Sequence, residues 1–197
     1  FLVLSGYVVT ASLCTEVDRS GTVDLRSFYL KRGVRILPAL LALCAAMVTW
    51  GTEPSKVLAA LGLNANYARI HGAELDQLTH TWFIAVIVHF YLVWPLVIGT
   101  VAPRNRLRVI GALALTAIVW RTIAIVVLSP GWVYNATDTN AAALLVGSAL
   151  AVAPTTTWRG ARWCLPALLG LMLLPAFGDT EPLMLWGGFL SLALSVG

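Results

Sequence analysis

The stretch Phe28-Tyr29-Leu30-Lys31-Arg32-Gly33-Val34-Arg35-Ile36-Leu37-Pro38 decides how the rest of the chain is read. Three cations fall within five residues, and an apolar run follows at once to Trp50. A cluster of this kind marks where a helix enters a bilayer, and Lys and Arg favour the cytoplasmic side. The same cations suit a phosphate-bearing ligand at the membrane face. Arg32 and Arg35, three apart, share a helical face. Near a helix start, the backbone would add its own preference for an anion.

The composition agrees with a membrane setting. Of 197 residues, 59% are hydrophobic and 11% charged, against roughly 25% charged in soluble domains. The net charge of +4 sits in short segments between apolar runs, so it reads as membrane orientation and not as a nucleic-acid surface. Cys14, Cys44 and Cys164 lie far apart inside apolar runs and form neither a disulfide framework nor a metal motif.

Reading outward gives seven apolar spans: 1–14, 33–50, 80–101, 109–128, 139–153, 163–177 and 183–197. The first and last are short of the roughly 20 residues a crossing helix needs. They read as spans cut short, so the chain is expected to be an internal piece of a longer protein. Asp18-Arg19-Ser20-Gly21 reads as a turn, and Pro38 falls in the first turns of its span. Segment 55–70 is moderately apolar and is interrupted by Asn64 and Asn66, which suits a short re-entrant or interfacial helix.

The connections test this parse. Segments 15–35, 102–108 and 155–162 carry ten Lys/Arg, while 51–79, 129–138 and 178–182 carry two. Alternation of that kind predicts that residues 15–35 are cytoplasmic, provided segment 55–70 does not cross.

Arg121 lies inside the fourth span. A charge there costs roughly 3 kcal/mol on insertion scales and usually faces a polar interior. Asp138, across a short loop, is a candidate partner. His80 and His89 are nine apart, about two and a half turns, and face opposite ways. His80, at the edge of its span, and the neighbouring Trp82 are candidates for the polar interior. His89 reads as a structural histidine. Thr137-Asp138-Thr139 before the fifth span suits a helix cap.

Together these stretches resemble acyltransferase family 3. Phe1-Leu-Val-Leu-Ser-Gly-Tyr-Val-Val-Thr10 is similar to that family's second helix, and Ser27 to Pro38 to its arginine signature. Thr81-Trp82, Ala85-Val86 and Phe90-Tyr-Leu-Val-Trp-Pro95 resemble its central block. Arg121, Thr137-Asp-Thr139 and Ala143-Leu-Leu-Val-Gly147 resemble later positions.

The resemblance implies an all-α, polytopic membrane helix bundle, a single domain over 1–197 that is part of a ten-helix fold. It implies a bacterial inner-membrane enzyme. Such an enzyme would move an acyl group from cytoplasmic acyl-CoA to a hydroxyl of an envelope sugar or lipid-linked acceptor. Arg32 and Arg35 would hold the donor, with acyl-CoA as co-substrate, membrane lipid around it and no further cofactor. The family's catalytic histidine would precede Phe1, so this piece alone is not expected to turn over.

Four polar positions of the family pattern differ here. Two glutamates are replaced by Ile87 and Val88, and an Arg-x-Asp pair by Asn140 and Ala142. The alternative expectation is therefore a catalytically impaired membrane protein that keeps the fold to bind a lipid or envelope component.

Overall fold

The computed structural model describes residues 1–153. The spans expected over 163–177 and 183–197, and the basic segment 155–162 between spans, lie outside the described residues. Eight α-helices and two short 3-10 turns make up the described part, with no strand among the described residues. The helices are α1 (Leu2–Ser20), α2 (Leu25–Thr49), α3 (Pro54–Leu61), α4 (Ala65–Ile70), α5 (Thr81–Thr100), α6 (Arg106–Val127), α7 (Pro130–Asn135) and α8 (Thr137–Val152). Three stretches are long and apolar enough to cross a bilayer: Leu25–Thr49, Asp76–Thr100 and Pro103–Val127.

Two boundaries differ from expectation. The first helix runs on through the polar residues 15–20, and the turn comes only at Gly21, whose φ of +77° is left-handed. The second helix begins at Leu25, where the Asp24 side chain caps it by accepting from the Ser27 amide at 3.0 Å. Hydropathy had placed the start at Gly33. It tracks the membrane boundary, and a helix continues into water wherever caps and propensity allow. Pro38 is consequently inside α2 and not in its first turns. Arg32 and Arg35 sit in the eighth and eleventh positions of α2. No free helix-start amides lie beside them, so the expected backbone contribution to anion binding is absent.

Segment 55–70 forms α3 and α4, of eight and six residues. Eight residues span roughly 12 Å, far less than the ~30 Å hydrocarbon core. Neither helix of this segment is long enough to cross. The two basic connections within the described residues meet at one end. Arg106, at the start of α6, donates to Asp18 near the end of α1 at 2.8 Å. Lys56 and Asp76 form an ion pair at 2.8 Å at the other end. The carboxylate of Asp76 raises the Lys56 pKa above its usual value.

The helices pack unequally. α1 lies against α8 so closely that a Cβ added at Gly6 would overlap the Leu144 carbonyl, and one at Gly147 would overlap the Val3 carbonyl. Small residues let membrane helices approach in this way. Ser148 adds a hydroxyl bond across the contact to Gly6 O at 3.4 Å. α5 is anchored to α1 by Trp94 Nε1, which donates to Thr10 Oγ1 at 2.7 Å, with both residues buried. By contrast, α2 exposes Leu30, Val34, Leu37, Leu41 and Val48 along one stripe. Its aromatic end is tied to α5 by Tyr29, whose hydroxyl donates to Leu92 O at 2.9 Å.

Candidate functional site

A cavity of about 460 Å³ opens between α1, α2 and α5. Its walls are apolar: Leu4 and Val8 from α1, Ile36 and Leu43 from α2, Ile84 and Ile87 from α5. Arg32 and Arg35 join the lining from α2. The Arg32 guanidinium lies 5.1 Å from the Tyr91 ring centroid and 5.5 Å from that of Phe28. Stacking of this kind holds a guanidinium in place while leaving its edge for hydrogen bonds.

The ion pairs among the described residues are Lys56 with Glu53 and Asp76, and Arg106 with Asp18. None takes Arg32 or Arg35. Two cations beside an apolar chamber of ordinary ligand size suit an anion with an apolar extension.

Ile87 faces this cavity. The site therefore carries a sec-butyl group where the resemblance places a carboxylate, and the wall is drier for it.

The other sequence-predicted residues fall elsewhere. Arg121 is buried and donates to the carbonyls of Thr139 at 3.0 Å and Val133 at 3.4 Å. Asp138 accepts from the Trp120 indole at 2.8 Å, so a neighbour of Arg121, not Arg121, is its recorded partner. His80 is a correction: it is exposed at the start of α5 and does not enter the interior. Trp82 is half-buried, its ring 5.0 Å from that of Tyr134 on α7.

A second polar centre was not foreseen. His89 Nδ1 lies 2.8 Å from Thr137 Oγ1, which also accepts from Asn66 Nδ2 at 3.0 Å. Tyr67 stands beside it, ring centroids 6.2 Å from His89. Asn66 on α4, His89 on α5 and Thr137 on α8 meet because α4 and α7 fold back against α5. The sequence signals were Asn66 interrupting an apolar segment and His89 within one. Neither signal shows that the two share a partner.

An all-helical bundle with three helices long and apolar enough to cross a bilayer defines the class: a polytopic membrane protein. The family then follows from comparison. The family described as the acyltransferase domain, acyltransferase 3, matches residues 1–197, and the chain belongs to it.

The peptidoglycan O-acetyltransferase OatA of Listeria monocytogenes is 30% identical over 175 residues. The O-acetyltransferase OatA of Staphylococcus aureus strain NCTC 8325 is 29% identical over 172 residues. Each match covers 77% of this chain and 28% of the relative, so the chain spans just over a quarter of their length. No solved structure matches the chain.

Proposed function

We propose that the chain is the donor-handling part of a bacterial inner-membrane O-acyltransferase, with its basic end in the cytoplasm. Acyl-CoA enters from that side, and the acyl group passes to a hydroxyl of an envelope sugar or lipid-linked acceptor. The observation that carries this reading is the placement of Arg32 and Arg35, which form no ion pair among the described residues, on a cavity with mostly apolar walls. The guanidinium groups engage the donor's phosphates, and the apolar wall takes the uncharged arm and its acyl end. The relatives' names support acetyl as the group transferred and peptidoglycan as the acceptor.

Binding of acetyl-CoA to the full chain in nanodiscs tests this. Arg32→Ala or Arg35→Ala each removes charge-assisted bonds of about 1.5–3 kcal/mol. Affinity should fall roughly 10- to 150-fold for each, with thermal stability little changed. Unaltered affinity in the double variant would remove the donor assignment.

Ile87 favours a second reading. With an apolar residue on the cavity wall, the protein binds an acylated or lipid anion and does not process it. Tight binding without acyl transfer to muropeptide acceptors would select this reading.

A further inference from the structure

Beyond Arg35, the face of α2 that lines the cavity turns apolar. Ile36, Ala39, Leu40 and Leu43 follow one another at helical spacing. Leu43 comes eight residues after Arg35, so this apolar trough runs roughly 12 Å along the helix axis. α5 faces it in the opposite sense. Tyr91 lies by Arg32, and Ile87, Ile84 and Phe83 follow toward the start of α5. Phe83 meets Phe1 of α1 edge to face, ring centroids 5.9 Å apart. The cations therefore stand at one end of the trough, and hydrocarbon and aromatic carbon make up the rest.

Size and chemistry together say what fits. A dry cavity of about 150 Å³ takes a six-carbon ring. The 460 Å³ here is far more than a two-carbon acyl group fills. The pantetheine arm of a CoA ester brings amides, which need partners once out of water. Ser5, Tyr91 and the two arginines are the lining residues with polar side chains. Ile84, Ile87, Leu40 and Leu43 offer an amide nothing. Hydrocarbon matches that part of the wall, and an acetyl group supplies one methyl. Unfilled, the trough forfeits contacts that a longer chain would make.

We propose that the cavity selects its donor by acyl length and takes a medium-length straight acyl chain, about six carbons, in preference to acetyl. The proposal rests on the acyl-CoA reading above and names the group that the donor carries. Ile87 and Leu43 are its specificity-determining positions. Ile87 keeps the α5 wall dry midway along the trough, and Leu43 is the last lining residue of α2. The arginines fix the anionic end of the donor, so the length of the trough beyond them measures the chain.

The test titrates the full chain in nanodiscs with acetyl-, butyryl- and hexanoyl-CoA, with uptake by protein-free nanodiscs subtracted. Ethyl phosphate and hexyl phosphate are titrated beside them, as anions that carry a chain and no CoA. Affinity should rise about fourfold for each added methylene. Ile87→Glu sets a carboxylate in the trough and should cut the hexanoyl-to-acetyl affinity ratio roughly 10-fold or more. Leu43→Trp shortens the trough and should lower the hexanoyl-to-acetyl ratio more than the butyryl-to-acetyl ratio. Each ratio is internal to one variant, so a partial loss of folded protein does not imitate it, and either variant alone suffices.

Equal affinity for acetyl- and hexanoyl-CoA overturns the proposal. So does a hexanoyl preference that both variants leave intact, since the chain then lies in the bilayer and not in the trough. Failure of every CoA ester, with hexyl phosphate still preferred to ethyl phosphate and that preference lost in the variants, overturns the donor assignment and leaves the selection of chain length in place.

Discussion

The two sides of α1 are built for opposite purposes. Toward α8, Gly6 sits backbone to backbone with Leu144, and Gly147 does the same with Val3. Toward α2, the same helix presents Leu4, Ser5 and Val8 to an open cavity of about 460 Å³. One side is closed to the width of a methyl group, and the other keeps room for a ligand. The difference lies in side-chain size and in what each neighbour is tied to. Small residues let α8 dock against α1 at van der Waals distance. The recorded hydrogen bond from Tyr29 ties α2 to α5 and not to α1, so the gap between α1 and α2 stays open. Bulk added to the first side should therefore break the fold, and bulk added to the second should leave the fold and remove the proposed donor binding.

The largest effect is expected at the crossing. Gly6→Leu would drive a side chain into the Leu144 backbone. Overpacking against backbone has no cheap relaxation and should cost about 3 kcal/mol or more. Reversible unfolding in mixed detergent micelles should show this loss, or the variant should fail to insert stably. A cost under about 1 kcal/mol would mean that the helices separate easily and that the contrast between the two sides is weak.

A smaller effect is expected where α1 meets α5. Thr10→Val keeps the shape but deletes the acceptor for the Trp94 indole, which is 3% exposed. Leaving a buried donor unmatched costs about 1–3 kcal/mol. The same unfolding measurement should place this variant between Gly6→Leu and the wild type. Thr10→Ser, which keeps the hydroxyl, should recover most of the loss.

The sequence made these two sides unequally legible. The apolar runs of α5 and α6 were visible because hydrophobic content alone marks a crossing helix. The polar turns that extend α1 to Ser20 and start α2 at Leu25 were hidden, since charge in a helix looks like charge in a loop. The spacing of Arg32 and Arg35 showed that they share a helical face, which suits membrane anchoring and anion binding alike. Their cavity was not visible, because its other walls come from α1 and α5.

The pair formed by His89 and Thr137 was invisible for a similar reason. Its members are 48 residues apart, and Asn66 is 71 residues from Thr137. Asp138 shows the converse. Proximity across a loop suggested Arg121, but the helical register hands its carboxylate to Trp120 instead.

The smallest change in stability should accompany the clearest change in binding. Ala39 lines the cavity from the loosely held α2. Ala39→Trp adds far more bulk than Gly6→Leu, but into space that already exists. Stability should stay within about 0.5 kcal/mol of wild type, as for substitutions away from packed contacts. Acetyl-CoA binding should fall at least as far as in Arg32→Ala, because the indole takes the room meant for the ligand's arm while both cations remain. If binding survives, the cations hold the donor at the membrane surface and the cavity serves something else. If stability collapses instead, the gap between α1 and α2 is as tightly determined as the crossing between α1 and α8.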